Sequence, residues 1–169
     1  MRTSLLSSPF SIASAVLALA MATIVGALAF EHLGGYAPCP LCLEQRYAYY
    51  VSIPALALAL WLLARGRKGL AALLFAAVAA IFFANAGFAA YHAGAEWKFW
   101  PGPDTCAAAG DALGTSGGGG LLKELEVTHV VRCDEPALRI FGLSLAGWNV
   151  LICLTLAAGA AAAARAARR

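Results

Sequence analysis

The sequence predicts an all-α, membrane-embedded four-helix bundle with one long loop on its outer face. Three observations predict it. Of 169 residues, 62% are hydrophobic and only 12% charged, against about 25% charged in an ordinary soluble domain. The apolar residues gather in four stretches, roughly 12–30, 47–64, 70–91 and 143–164. Each is close to the ~20 residues that cross ~30 Å of hydrocarbon at 1.5 Å per residue. None alternates as a barrel strand would, and an open strand in lipid leaves backbone groups unpaired.

Charge orients the bundle. Arg2, Arg65, Arg67, Lys68, Arg165, Arg168 and Arg169 lie on one face with no acidic residue. The other face, residues 31–46 and 92–142, holds all nine acidic residues and five basic ones. Lys and Arg in short loops stay cytoplasmic, so both termini are expected inside and both loops outside, in a single integral membrane domain over 1–169. The net charge of +3 is thus a topology signal and gives no reason to expect nucleic acid as a partner.

Taken in order, Ser7-Ser8-Pro9 has the cap-then-proline chemistry of a helix start. Ala27-Leu28-Ala29 resembles a signal-peptide cleavage site, but the run before it, about 19 residues, exceeds the usual core of 7–15, which favours a retained span. The short 31–38 connection contains Gly34-Gly35 and makes spans one and two antiparallel neighbours. Arg65 to Gly69 forms a tight inner turn. The outer loop 92–142 is the only soluble part of any size, and Pro101-Gly102-Pro103 and Gly117 to Gly120 discourage regular structure there. Within it, Leu121 to Val131 fits a surface helix and a strand or irregular segment about equally.

Five cysteines carry the chemistry. Cys153 lies inside span four, where a buried thiol behaves as a small hydrophobe. Cys39 and Cys42 have the C-x-x-C spacing of dithiol redox sites, at the mouth of span two; Cys106 and Cys133 lie in the long loop. All four face outward, where a bacterial periplasm permits disulfides. Haem attachment needs His after the second cysteine, and Leu43 stands there. A zinc site built from these cysteines with His92 or His129 remains an alternative.

Cys42 falls in the first turn of its helix, whose N-terminus carries about half a positive charge and favours a thiolate. Arg46 lies one turn deeper on the same face. It either snorkels or pairs with the Cys42 thiolate or a reduced ligand oxygen. His92 ends span three at the same level, either donating to a ligand or sitting wet at the interface. Asn85 is expected to make an interhelical hydrogen bond, and Trp97, Trp100 and Trp148 to form an interfacial belt.

Cys39-Pro-Leu-Cys42-Leu-Glu-Gln-Arg46 opening span two resembles the DsbB family of disulfide-bond formation proteins. So do Tyr91-His92 followed by Cys106, and Cys133 with Phe141-Gly-Leu-Ser-Leu-Ala-Gly-Trp148-Asn149 entering span four. The resemblance implies a protein-thiol:quinone oxidoreductase of the bacterial inner membrane. It would reoxidise a periplasmic DsbA-like thioredoxin-fold oxidant and deliver electrons to the membrane quinone pool, as ubiquinone or menaquinone. It implies disulfides Cys39–Cys42 and Cys106–Cys133. Cys106 would meet the partner, Cys39 would exchange with the loop pair, and Cys42, Arg46 and His92 would line the quinone site. Gln45 stands where some relatives have an acidic residue. Two other readings compete: a vitamin-K-epoxide-reductase-like quinone enzyme, in which the C-x-x-C comes late in the bundle, and a non-enzymatic zinc-binding or structural tetraspan protein.

Overall fold

A computed structural model describes residues 8–102 and 133–169. Among them are four helices, α1 (Pro9–His32), α2 (Pro40–Ala64), α3 (Lys68–Glu96) and α4 (Leu145–Ala167), each long and apolar enough to cross a membrane. The packing runs from α1 to α2, α2 to α3, α3 to α4 and back from α4 to α1. The chain is an all-α, multi-pass membrane bundle.

The helix ends follow their cap chemistry. Ser8 accepts from Ser11 N at 3.1 Å, with Pro9 in the first turn. Ser144 accepts from Gly147 N at 3.1 Å at the head of α4. The second helix starts at Pro40, ahead of the apolar stretch that opens at Tyr47 and with Cys42 in its first turn as expected; Pro40 stands where a missing N–H removes no intrahelical bond. The third runs on to Glu96, beyond Tyr91, since nothing in His92 to Ala95 stops a helix.

Phe75, Phe82, Leu56 and Leu156 fill the middle of the bundle. Buried alanines on α3 (Ala71, Ala72) and α4 (Ala160, Ala163, Ala164) allow close backbone approach, the usual device where lipid gives no hydrophobic drive. The outward-facing hydroxyls of Thr23 and Thr155 each donate to the carbonyl four residues back, both at 2.8 Å. That leaves no polar group open towards lipid at either position.

Two short strands, β1 (Arg139–Ile140) and β2 (Leu143–Ser144), pair antiparallel just before α4. Phe141 and Gly142 join them with φ of 52° and 83°, the two positive values of a tight hairpin turn. Trp148 Nε1 donates to Ile140 O at 3.0 Å, tying this hairpin to the helix it precedes.

Candidate functional site: a dithiol at a helix mouth

The C-x-x-C motif is the cap of α2. Cys39 is the N-cap residue, in extended conformation, and its Sγ accepts from Cys42 N at 3.3 Å. Capping spacing therefore places both side chains together, and the two sulfurs stand 3.0 Å apart as thiols. Cys39 is buried and Cys42 half-buried. Cys39 donates to Cys42 Sγ, and this bond, with burial adding to it, pushes the Cys39 thiol up to about 12.

His92 reaches the pair from α3. It is buried, with Nε2 3.6 Å from Cys39 Sγ and Nδ1 2.9 Å from Gln45 Nε2. Of the two surroundings expected for His92, the wet interface is not the one found: α3 continues to Glu96 and the ring is buried in the bundle. Glu96, one turn on, places Oε1 3.8 Å from His92 Nε2 and is itself buried.

Cys133 joins them from the segment before the hairpin. It is 1% exposed and packs with Cys39 and Leu41, with Cys42 and Phe88 against the same cluster. A backbone group of Cys133 also interacts with the His92 ring. Lys98 holds this segment down, its Nζ donating to Asp134 Oδ2 and to Asp134 O, both at 2.7 Å. Cys106 and His129, the Cys106–Cys133 pairing, the Gly117 to Gly120 run and the Leu121 to Val131 segment lie outside the described residues.

Arg46 donates through Nη1 to Glu31 on α1, an interhelical ion pair that the sequence did not announce. Asn85 makes the interhelical bond expected of it, donating to Gln45 O and to Cys153 Sγ, each at 3.3 Å.

A second layer lies below the dithiol. Asn149 Nδ2 donates to Gln45 Oε1 at 2.6 Å, and Tyr49 Oη donates to Asn149 Oδ1 at 2.6 Å. Cys153 sits in the same network, within 3.5 Å of Asn149 Oδ1, so it is more than the inert filler its position suggested. Sequence reasoning passed over Glu31, Tyr49, Glu96 and Asn149 as site residues. The signal was available: Gln45, Tyr49 and Ser52 form a polar stripe at helical spacing on an apolar helix, and such stripes face the bundle interior.

Two kinds of guest suit this region. The ligand atoms of Cys39, Cys42 and His92 lie within 4.8 Å of one another, a spacing a metal ion could bridge. A groove of about 400 Å³ between α2 and α3, lined by Tyr47, Val51, Ile81 and Phe88 among others, is apolar.

The family model described as "Disulfide bond formation protein DsbB" matches residues 10–163, nearly the whole chain and all four helices. The chain belongs to the DsbB family. It is 32% identical over 133 residues to a protein of Aromatoleum aromaticum named "Disulfide bond formation protein B", covering 78% of this chain and 76% of that one. No solved structure matches the chain. Family membership assigns it to disulfide-bond formation as an oxidoreductase, and C-x-x-C at the mouth of α2 is the group suited to that chemistry.

Proposed function

We propose that this DsbB-family protein is a protein-thiol:quinone oxidoreductase of the bacterial inner membrane. It reoxidises a periplasmic DsbA-like oxidant and passes the electrons to ubiquinone or menaquinone. The supporting observation is the pair of sulfurs 3.0 Å apart capping a membrane-length helix, with Cys133 packed against them. Both termini are cytoplasmic in this reading, on the basic face, and the dithiol faces the periplasm.

Each turnover conserves atoms and electrons. A reduced partner gives up two thiol protons and two electrons to form its disulfide, and the quinone takes up two electrons and two protons to become the quinol. In between, the loop pair Cys106–Cys133 is reduced by the partner through a mixed disulfide at Cys106, and the Cys39–Cys42 disulfide reoxidises it through Cys39. Cys42, in the first turn of α2, is the sulfur suited to face the acceptor, because the helix N-terminus stabilises its thiolate. Arg46 and His92 supply donors at the same level, and Phe88 links the cysteine cluster to the apolar α2–α3 groove, which has the character an isoprenoid chain requires.

The test is oxidation of reduced DsbA by the purified protein in detergent, following thiol loss and quinone absorbance together. Matched loss of both in the wild type, and loss of neither with Cys42→Ser, is the expected result. Thiol loss without quinone reduction would refute the acceptor. A second reading, structural zinc, rests on the three clustered ligand atoms; about one equivalent of zinc in the purified protein, with no thiol oxidation, would favour it.

A further inference from the structure

The hydrogen bonds beneath the dithiol form a directed chain. An amide chain of Asn and Gln can run either way, because each side chain has a donor end and an acceptor end. The direction decides which nitrogen of His92 carries the proton, and that in turn decides what the ring offers Cys39.

In this bundle the direction is set at the far end. Asn85 Nδ2 donates to Gln45 O at 3.3 Å, a carbonyl that can only accept, so the amide nitrogen of Asn85 is placed. The same nitrogen donates to Cys153 Sγ at 3.3 Å. Cys153 thus accepts from one side, and its S–H turns to Asn149 Oδ1 at 3.5 Å. Tyr49 Oη donates to that same oxygen at 2.6 Å.

Two donors converge on Asn149 Oδ1, which holds Nδ2 towards Gln45 Oε1 at 2.6 Å. Gln45 then turns its own Nε2 to His92 Nδ1 at 2.9 Å. Reversing the chain would set the Asn149 N–H groups against the Tyr49 hydroxyl and the Cys153 thiol, leaving a buried donor without an acceptor, an arrangement that folded interiors avoid.

We propose that Tyr49 and Cys153 are positioning residues that fix His92 as its Nε2–H tautomer, with the proton directed at Cys39 Sγ. With Nδ1 committed to Gln45, the ring has one further N–H to donate, 3.6 Å from Cys39 Sγ and 3.8 Å from Glu96 Oε1; a backbone group of Cys133 interacts with the ring as well. Cys39 Sγ accepts from Cys42 N and from His92, two donors that orient the sulfur beside Cys42. The device lies outside the sulfur chemistry and acts through His92.

The tautomer is read directly by nitrogen NMR of the reduced full-length protein in detergent with ¹⁵N-labelled histidine. The chain has three histidines, and His92 is assigned by the signals lost in His92→Asn. The expected spectrum shows Nε2 protonated and Nδ1 unprotonated in the wild type and in Cys153→Ser, whose hydroxyl still donates. Tyr49→Phe combined with Cys153→Ala removes both donors and should add the Nδ1–H form. Gln45→Glu, close in shape but unable to donate, should move the proton to Nδ1. Nδ1–H in the wild type, or an Nε2–H signal that persists alone in the double variant, would overturn the proposal. Should the double variant fail to fold, Gln45→Glu decides: Nδ1 protonated supports the proposal and unchanged Nε2–H refutes it. The consequence for turnover, an approximately tenfold fall in thiol oxidation in the double variant from one misdirected hydrogen bond, rests on the proposed function. The NMR result does not, so the two can fail separately.

Discussion

Arg46 on α2 is ion-paired with Glu31 at the end of α1, across the short connection between the two helices. The guanidinium is 12% exposed and the carboxylate 25%, so the pair stands at the edge of the bundle and joins two helices whose order along the chain already makes them neighbours. An arginine here has five N–H donors in a planar fork, and Glu31 uses Nη1 alone. Among the described residues no other partner of the guanidinium is seen, which leaves donors that can serve a ligand.

The first prediction follows from that division. A hydrogen bond to a charged group contributes about 1.5–3 kcal/mol, so Arg46→Met should raise the KM for quinone roughly ten- to a hundredfold. Glu31→Gln leaves the guanidinium in place and should raise it far less. Steady-state kinetics with varied quinone check both. Equal effects of the two variants would show that the ion pair matters only for the fold.

The second concerns pH. Cys39 keeps its proton until about pH 12, held by its bond to Cys42 Sγ and by burial. Only the thiolate reacts with an alkylating agent, so at pH 8 the reduced protein should label at Cys39 roughly a thousandfold more slowly than an ordinary thiol of pKa ≈ 8.5. The rate should climb about tenfold per pH unit without levelling off below pH 11. Cys42→Ala removes the leading cause and should speed labelling. Peptide mass mapping after timed alkylation gives the rates, and a plateau near pH 9 would contradict the account.

The third separates local from global effects. Lys98 is 59% exposed, so its ion pair with Asp134 contributes only about 0.2–1 kcal/mol, yet it is the clasp beside Cys133. Lys98→Ala should therefore hardly move thermal unfolding, while under reducing conditions Cys133 labels several-fold faster. No change in labelling would mean that packing against Cys39 and Leu41 holds Cys133 by itself.

The spans were legible because lipid imposes a length and an absence of charge, two properties that local sequence carries. Cys39 and Cys42 were legible because capping geometry is local as well. Their partners were not. Asn149 is about a hundred positions from Tyr49 and Gln45, and a hydrogen bond across that distance exists only once α4 packs beside α3 and α1. Glu31 was not legible as the partner of Arg46 for a related reason: the carboxylate belongs to the preceding helix, fifteen positions away, and meets Arg46 only once α1 packs beside α2. His92 was placed at the right level with its surroundings left open, since a helix end judged by apolar content stops at Tyr91 while the backbone continues to Glu96.

The continuation of α3 carries the last prediction. Trp100 folds back over the end of this helix, its Nε1 donating to Tyr91 O at 3.0 Å and its ring stacked on Tyr91 with centroids 5.7 Å apart. The indole lies flat against Gly94, where a Cβ would meet Cζ2 at 2.1 Å and Cη2 at 2.4 Å. A ring held by both a hydrogen bond and a stack cannot shift by the necessary ångström and keep either. Gly94→Ala should therefore dislodge Trp100, at about 1–3 kcal/mol, the range for overpacking a tight contact. Because Gly94 lies two residues from His92, the disturbance should reach the dithiol. The expected results are a lower unfolding temperature, altered tryptophan fluorescence and slower thiol oxidation. Trp100→Ala, which leaves Gly94 uncovered without the clash, should change the fluorescence while sparing more of the activity. If Gly94→Ala proved as stable and active as the wild type, the close seat of Trp100 on the helix would be wrong.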